Sequence, residues 1–551
     1  MITMTKRVAL VQPRITAGKS LGIEKSPESI QALAGQLEKE GFTVKMFHEK
    51  AEDGLYNKIK DFNPDSVGIS TMTVNFPDGK KVAKAVKNID SDIPVILGGW
   101  HASGVVQAYL KGQENETIEE VLNPKSPFDY IVAGEGELIF PELIRRIEKG
   151  QKVDGLKGVG FLKDKKIIIS RPERIKNLDD LAFPSWGGLP IDDYRDKRDG
   201  SLDLSVHFNR ACRFDCGFCS TGTVYGKGVK TVNAERAADY VESLLERFMP
   251  EVITFTDEDF FANPKWVAEI VEIFNKREFK EKYNIRFDTF ASINDILRLE
   301  KETESIERSI FSSEIMGFRN YKPEVISDEI KKAGFNSFTI GIESFNPKIL
   351  RKYNKEMMIL PTMTQELREL YHLLFGKQEY QDYWLVRHYL NSAQRAIDFA
   401  HKRGFVVVGD YMVGNLGETE KQVRKGFERF SNLRNLHVAY LPIFTPFPGT
   451  ELWYESYHSG KLARDKKGNI DWAKFDGSAG ALDLGYDIKE LRNQLELEFY
   501  TSQRYKEDMY EEIQGNPTKK TMFQKRFEYL NRTFPGNELV EETLRALDKS
   551  T

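Results

Sequence analysis

The sequence predicts an α/β protein in three parts: an N-terminal doubly wound, Rossmann-like parallel sheet, a partial TIM-like (βα)6 barrel and a helical C-terminal region. Three observations carry this expectation. Short apolar runs alternate with amphipathic segments through the first 150 residues and again from Leu204 to Phe444, the pattern of parallel βα units. A proline-bearing stretch without period, Leu178 to Trp186, separates the two series and reads as a linker. After Trp453 the pattern turns polar and helical, most clearly over 487–513. The expected boundaries are 1–155 for the first domain, 156–200 for a hairpin and linker, 201–455 for the barrel and 456–551 for the helical domain.

In the first series the strands are Arg7 to Pro13, Phe42 to Glu49, Asp65 to Thr71, Pro94 to Trp100 and Asp129 to Gly136. Helices Pro27 to Glu40 and Asp78 to Asn88 lie between them. Wound sheets bind ligands beyond the carboxyl ends of their strands. Ser70, the run Gly98-Gly99-Trp100-His101 and the run Gly134-Glu135-Gly136-Glu137 fall there. No G-x-G-x-x-G follows the first strand, which argues against a dinucleotide. Residues 159–170 read as a hairpin.

In the second series the strands are Leu204 to Asn209, Val252 to Thr256, Ile285 to Ala291, Ser337 to Ile342, Phe405 to Val413 and Val438 to Phe444. Six βα units make a partial barrel rather than a closed one of eight. An aromatic-rich stretch over 356–392 interrupts the alternation with Tyr371, His372, Phe375, Tyr380, Tyr383, Trp384, His388 and Tyr389. Together with the C-terminal region it is expected to line or cap a substrate cavity.

Composition narrows the function. With 551 residues, 40% hydrophobic and 30% charged, the chain has the make-up of an ordinary folded protein of several domains. Its 80 basic and 84 acidic residues leave a net charge of −4, so nucleic acid is not an expected partner. No apolar run approaches the length of a membrane span. Met1 to Arg7 leads directly into a strand without a signal-peptide core, so a cytoplasmic protein is expected.

The three cysteines are Cys212, Cys216 and Cys219. They form C-x-x-x-C-x-x-C directly after the first strand of the second series. Scattered at random, three would share so short a window about a few times in ten thousand. Disulfide frameworks use even numbers, and zinc sites use four ligands from two separated pairs. Three thiolates on one loop can instead hold three irons of a [4Fe–4S] cluster and leave the fourth iron open to a small molecule.

With Phe218 before the last cysteine, this spacing resembles the radical S-adenosylmethionine (SAM) superfamily. The resemblance implies SAM contacts at successive strand ends. Asp257-Glu258-Asp259 after the second strand is similar to the segment that meets the methionyl amino group; Asp257 and Glu258 are the candidates. Glu343 and Ser344, closing the fourth strand, resemble the ribose and carboxylate contacts. Gly414 opens Gly414-Asn415-Leu416-Gly417-Glu418-Thr419, which resembles the family's G-x-P-G-E-T with Leu416 in place of proline. Pro448-Gly449-Thr450 resembles its P-G-T loop. Taken singly, such carboxylates are also common partners of helix N-termini; their joint position on one barrel face carries the assignment.

A wound sheet ahead of such a barrel resembles the cobalamin-binding domain of the class B, cobalamin-dependent members of this family. The resemblance covers residues 6 to 455 and makes Gln12, Ser70, Thr71, Gly98, Gly99, Gly134 and Glu135 the candidate cobalamin contacts. Cobalamin domains that ligate cobalt carry D-x-H-x-x-G after the first strand, whereas this chain reads Val11-Gln12-Pro13-Arg14-Ile15-Thr16. No lower histidine ligand is therefore expected, and His48 and His101 read as packed or surface side chains. The implied cofactors are a [4Fe–4S] cluster, SAM and cobalamin. The implied chemistry is reductive cleavage of SAM to a 5′-deoxyadenosyl radical, then methylation of an unactivated carbon through methylcobalamin. A small-molecule substrate and an external flavodoxin- or ferredoxin-type electron donor are the implied partners. Non-methylating cyclisation or rearrangement is the alternative. A cobalamin-based sensor or carrier would not need the SAM-contacting strand ends.

Overall fold

The computed structural model describes residues 6–14, 25–50, 54–196, 200–304, 323–355, 378–514 and 517–549. In the N-terminal domain β1 (Arg7–Val11), β2 (Thr43–Phe47), β3 (Ser66–Ser70), β4 (Val95–Gly98) and β5 (Tyr130–Val132) run parallel in the order β2-β1-β3-β4-β5. The central strands are apolar almost throughout because helices cover both faces. Val8 and Leu10 face helices Glu28–Lys39 and Ile139–Glu148, while Ala9 and Val11 join the core under helices Phe76–Ile89 and Gly99–Leu110. The chain reverses its strand order between β1 and β3, and a ligand crevice opens at such a point.

Two elements differ from expectation. β4 stops at Gly98, two residues short of Trp100, because Gly99 adopts φ +89° and turns the chain into helix Gly99–Leu110. The expected hairpin forms as β6 (Val159–Lys163) and β7 (Lys166–Ile169), but it joins the first sheet, with β6 antiparallel to β5.

The second sheet is a six-stranded, all-parallel open barrel in the order β15-β14-β13-β12-β11-β8. Its strands are β8 (Asp203–Val206), β11 (Val252–Phe255), β12 (Arg286–Ala291), β13 (Phe335–Glu343), β14 (Val406–Tyr411) and β15 (Val438–Tyr440). The short antiparallel pair β9 (Asn209–Arg210) and β10 (Lys230–Thr231) brackets the cysteine loop. Phenylalanines build the layer between strands and helices: Phe255 lies 5.4 Å from Phe335, and Phe274 4.9 Å from Phe287, between ring centroids. The segment 356–377, with Tyr371, His372 and Phe375, lies outside the described residues. Tyr383, Trp384, His388 and Tyr389 belong to helix Gln378–Lys402, where Tyr389 is buried and donates from its hydroxyl to the Ile342 carbonyl at 2.8 Å.

The C-terminal helices begin at Ile488 and run as Ile488–Thr501, Gln503–Ile513, Pro517–Thr533 and Glu538–Lys549. The preceding stretch, 459–487, is mostly irregular, with two isolated bridges, Leu462 to Leu482 and Arg464 to Ile470. Glycines at positive φ, such as Gly468 (+86°) and Gly480 (+81°), break helical continuity there.

That stretch fastens the barrel to the first domain. Trp472 stacks on Trp453 at 5.9 Å, meets Phe76 and His101 edge-on, and donates from Nε1 to Glu120 at 2.8 Å. Arg464 pairs with Glu116 at 2.6 Å. Trp472→Ala is therefore expected to destabilise the protein by about 3–5 kcal/mol, the usual cost of emptying a buried aromatic site. A urea titration checks this; a shift under about 1 kcal/mol would mean the stretch is peripheral to stability.

Candidate cysteine loop and interdomain cavity

The cysteine loop is held at its N-terminal root by carboxylates. Oδ1 of buried Asp257, at the end of β11, accepts from the backbone N–H of Phe208 at 2.8 Å and of Asn209. Asp259 binds Arg213 through Nε at 2.7 Å and Nη2 at 2.9 Å, and Arg213 also reaches Asp295. Ala211 takes φ +71° at the entry to the loop. Gly217 packs so tightly that an added Cβ would collide with the Lys352 carbonyl. None of the three cysteines is in a disulfide.

Burial raises all three thiols, Cys216 to about 11 even though the Lys355 ammonium eases it down. Thiols in such surroundings lose their protons readily only when a bound cation takes the proton's place and stabilises the thiolate. Three sulfur donors on one loop, without a fourth cysteine in the chain, match the donor set of a cluster with one iron left open.

The carboxyl ends of β13 and β14 lie beside this loop in charge and in space. Glu343 adopts φ +67°, and its Oε1 lies 3.3 Å from Lys355 Nζ with both side chains buried. Gly341 makes room for it: an added Cβ there would lie 2.5 Å from Glu343 Oε1. Burial and the nearby Glu343 raise Asp410, whose Oδ1 has no partner. Ser344 is buried and accepts at its Oγ from Asn346 N at 3.0 Å. Phe218 packs 4.5 Å from the Tyr353 ring. Gly414, at φ +77°, packs against helix Ile488–Thr501, where an added Cβ would lie 2.5 Å from Ile488 Cγ1. Glu343 lies close enough to Cys216 and Cys219, and Glu258 to Cys219, for their charges to act on the thiols. Asp257 anchors the chain just before the loop, and Ser344 and Gly414 are engaged in local packing.

A cavity of about 380 Å³ lies between the two domains, under the carboxyl ends of β1, β3, β4 and β5 and of β8 and β11. Ser70, Gly98, Gly99, Gly134 and Glu135 line it. Gln12 and Thr71 stand behind that wall. Gln12 Oε1 accepts from Ser29, which in turn accepts from Ser70 at 2.8 Å. Thr71 receives the His101 N–H at its carbonyl. At Gly98 an added Cβ would meet nothing nearer than the Val132 carbonyl at 3.8 Å, so the space a side chain would occupy there is cavity. Gly99 is different: its Cβ would lie 2.7 Å from both Ser70 Oγ and the Thr71 carbonyl.

His48 and His101 are both buried and packed, against Tyr194 and against Phe76 at 4.0 Å. Burial holds each neutral, near 3. Neither lines the cavity; the histidine that does is His207, on the barrel side.

Sequence reasoning missed His207, Met72, Arg210, Tyr225 and Lys355. Met72 lines the cavity and is 44% exposed. His207 Nε2 pairs with Glu258 at 2.9 Å. Burial opposes its charge, but Glu258, Asp257 and Glu28 together raise it to about 9. A histidine whose folded value is raised stabilises fully below the unfolded value of about 6.5 and loses that contribution as pH rises through about 9. His207→Gln should therefore lower thermal stability at pH 6 and converge with the parent by pH 10. Equal losses at both pH values would show that the pair carries no charge.

Two family models match the chain: the B12 binding domain over residues 18–144 and the radical SAM superfamily over residues 206–429. The chain belongs to the cobalamin-dependent radical SAM enzymes. An uncharacterized methyltransferase of Pyrococcus horikoshii is 26% identical to the enzyme, over 84% of this chain and 82% of that protein. The anaerobic magnesium-protoporphyrin IX monomethyl ester cyclase of Rubrivivax gelatinosus is 22% identical over 82% and 70%. Among solved structures, the cobalamin-dependent SAM radical enzyme OxsB with aqua-cobalamin and SAM bound aligns with TM-score 0.61 at 13% identity, covering 99% of this chain and 76% of that one. The enzyme's cofactors are a [4Fe–4S] cluster, SAM and cobalamin, and the thiol set and the glycine-lined cavity fit the first and the last. No helix among the described residues is long and apolar enough to cross a membrane.

Proposed function

We propose that the enzyme C-methylates an unactivated carbon of a small-molecule substrate in the barrel lumen. The observation that carries this reading is the shared cavity, which joins the ligand-binding edge of the wound sheet to that of the barrel. When bound, the cluster and cobalamin supply one-electron cleavage of SAM and a transferable methyl group. The protein's own part is placement and exclusion of water. Cys212, Cys216 and Cys219 ligate the cluster. Phe218, Asp257, Glu258 and Glu343 form the SAM wall, with Ser344 and Gly414 supporting it from behind through local packing and Lys355 neutralising Glu343. Gln12, Ser70, Thr71, Gly98, Gly99, Gly134 and Glu135 form the cobalamin wall, some directly and some from behind. A flavodoxin- or ferredoxin-type donor supplies the electron, and the three reduced cysteines suit the cytoplasm.

Cyclisation or rearrangement without methylation is the second reading, supported by the likeness to a relative named as a cyclase. The test needs no substrate. The reduced, cobalamin-loaded enzyme is mixed with SAM carrying a labelled methyl group. Label on the corrinoid with matching S-adenosylhomocysteine supports methylation; 5′-deoxyadenosine without either supports the second reading.

A further inference from the structure

Glu135 and Glu137 line the interdomain cavity on the side of the first domain, and both carboxylates are engaged by one guanidinium that lines it from the barrel. Arg210 reaches Glu135 through Nη1 at 2.8 Å and Glu137 through Nη2. Side-chain exposure is 12% for Arg210, 1% for Glu135 and 9% for Glu137, so this is a buried link across the domain interface. Arg210 lies in β9, two residues before Cys212, at the root of the cysteine loop.

On the other side the link continues to the glycine groove. Ser103 Oγ accepts from the Gly134 N–H at 2.9 Å and donates to the Gly99 carbonyl at 2.9 Å. Hydrogen bonds thus join Gly99 to Ser103 and Ser103 to Gly134, and the next residue along the chain, Glu135, holds Arg210, which the backbone carries on to Cys212. The free oxygen of Glu135 takes the Ile175 N–H at 2.9 Å, tying the linker into the same set. A planar guanidinium held by two carboxylates has a fixed orientation as well as a charge. One buried partner removed leaves the others uncompensated, so such links are kept intact or broken as a unit.

We propose that Arg210, gripped by Glu135 and Glu137, is a positioning residue that sets the separation and orientation of the cobalamin groove relative to the cluster loop. It acts through the two loops it joins. A reacting pair must be held within about 0.5 Å of its working geometry, and misplacement by about 1 Å can cost about 10²-fold in rate. The inference rests on the cofactor assignment and is independent of whether the reaction is a methylation.

The experiment is a pulsed-EPR measurement of the dipolar coupling between cob(II)alamin and the reduced cluster in the full-length holoenzyme, without substrate or turnover. The parent is expected to give one narrow distance distribution. The isosteric variant Glu137→Gln, which removes one of the two carboxylates from the guanidinium, should keep iron and cobalamin contents but broaden or shift that distribution by about 1 Å. Arg210→Lys, which keeps the charge and loses the fork, should fall between the two. An unchanged distribution in a variant that holds both cofactors would overturn the proposal. Loss of a cofactor in both variants would also overturn it, by showing a folding element instead of a positioning one. A parent without bound cobalamin would defeat the cofactor assignment itself, a separate failure.

Discussion

Cys216→Ala should leave the enzyme folded and without 5′-deoxyadenosine formation. Cys216 is partly buried between Cys212 and Cys219 on a loop that Asp257, Asp259 and Arg213 hold independently of any metal. Removing one thiol therefore empties the cluster site without dismantling the barrel, and no other cysteine exists in the chain to replace it. Iron content should drop with activity, because a cluster with only two protein ligands is not retained through purification. The circular dichroism spectrum should match the parent. Iron retained at the parent level, with SAM cleavage intact, would overturn the assignment of the loop.

Gly98→Leu and Gly99→Ala should fail in opposite ways, although the glycines are adjacent. Gly98 has φ −140° and ψ −169°, a backbone that any residue adopts, and its missing side chain faces cavity. A leucine there is expected to leave thermal stability near the parent value. Its side chain fills space the cobalamin needs, an overpacking of about 1–3 kcal/mol or about 10- to 100-fold in affinity. Gly99 sits at φ +89° with backbone atoms of Thr71 in the way of a Cβ. Its alanine variant is expected to lose about 1–3 kcal/mol of stability through strain and contact. Cobalamin retention after gel filtration and urea titration separate the two effects. Full cobalamin occupancy in Gly98→Leu would contradict the position assigned to the cofactor.

Much of this architecture was legible in the sequence because it repeats. Each βα unit announces itself by an apolar run and an amphipathic helix, and each of the eleven expected strands forms within a few residues of its place. The cysteine loop was legible because three thiols in eight residues have few other uses. The ends of elements were less so. Gly99 ends β4 early because its backbone angle turns the chain, and nothing in the pair Gly98-Gly99 tells which of the two turns. The stretch 459–487 lacks strand or helix period, and its tryptophan pair stacks only once both domains are in place.

Long-range partners were hidden for the same reason. Lys355 lies twelve positions from Glu343 in sequence, and helix Pro347–Lys352 must fold back before the two meet. Arg210 stood in view beside Cys212, and Glu135 and Glu137 were visible as a loop. Their pairing needs the interface between two domains, which no local pattern encodes.

The most direct test of the account is the metal and product content of one anaerobic preparation: iron and cobalt per chain, followed by products formed with SAM and a reductant. The account predicts about four irons, cobalt equimolar with the chain, and 5′-deoxyadenosine released on reduction. Iron and deoxyadenosine without cobalt would contradict it, because the interdomain cavity would then serve some other ligand and the two domains would not act as one enzyme.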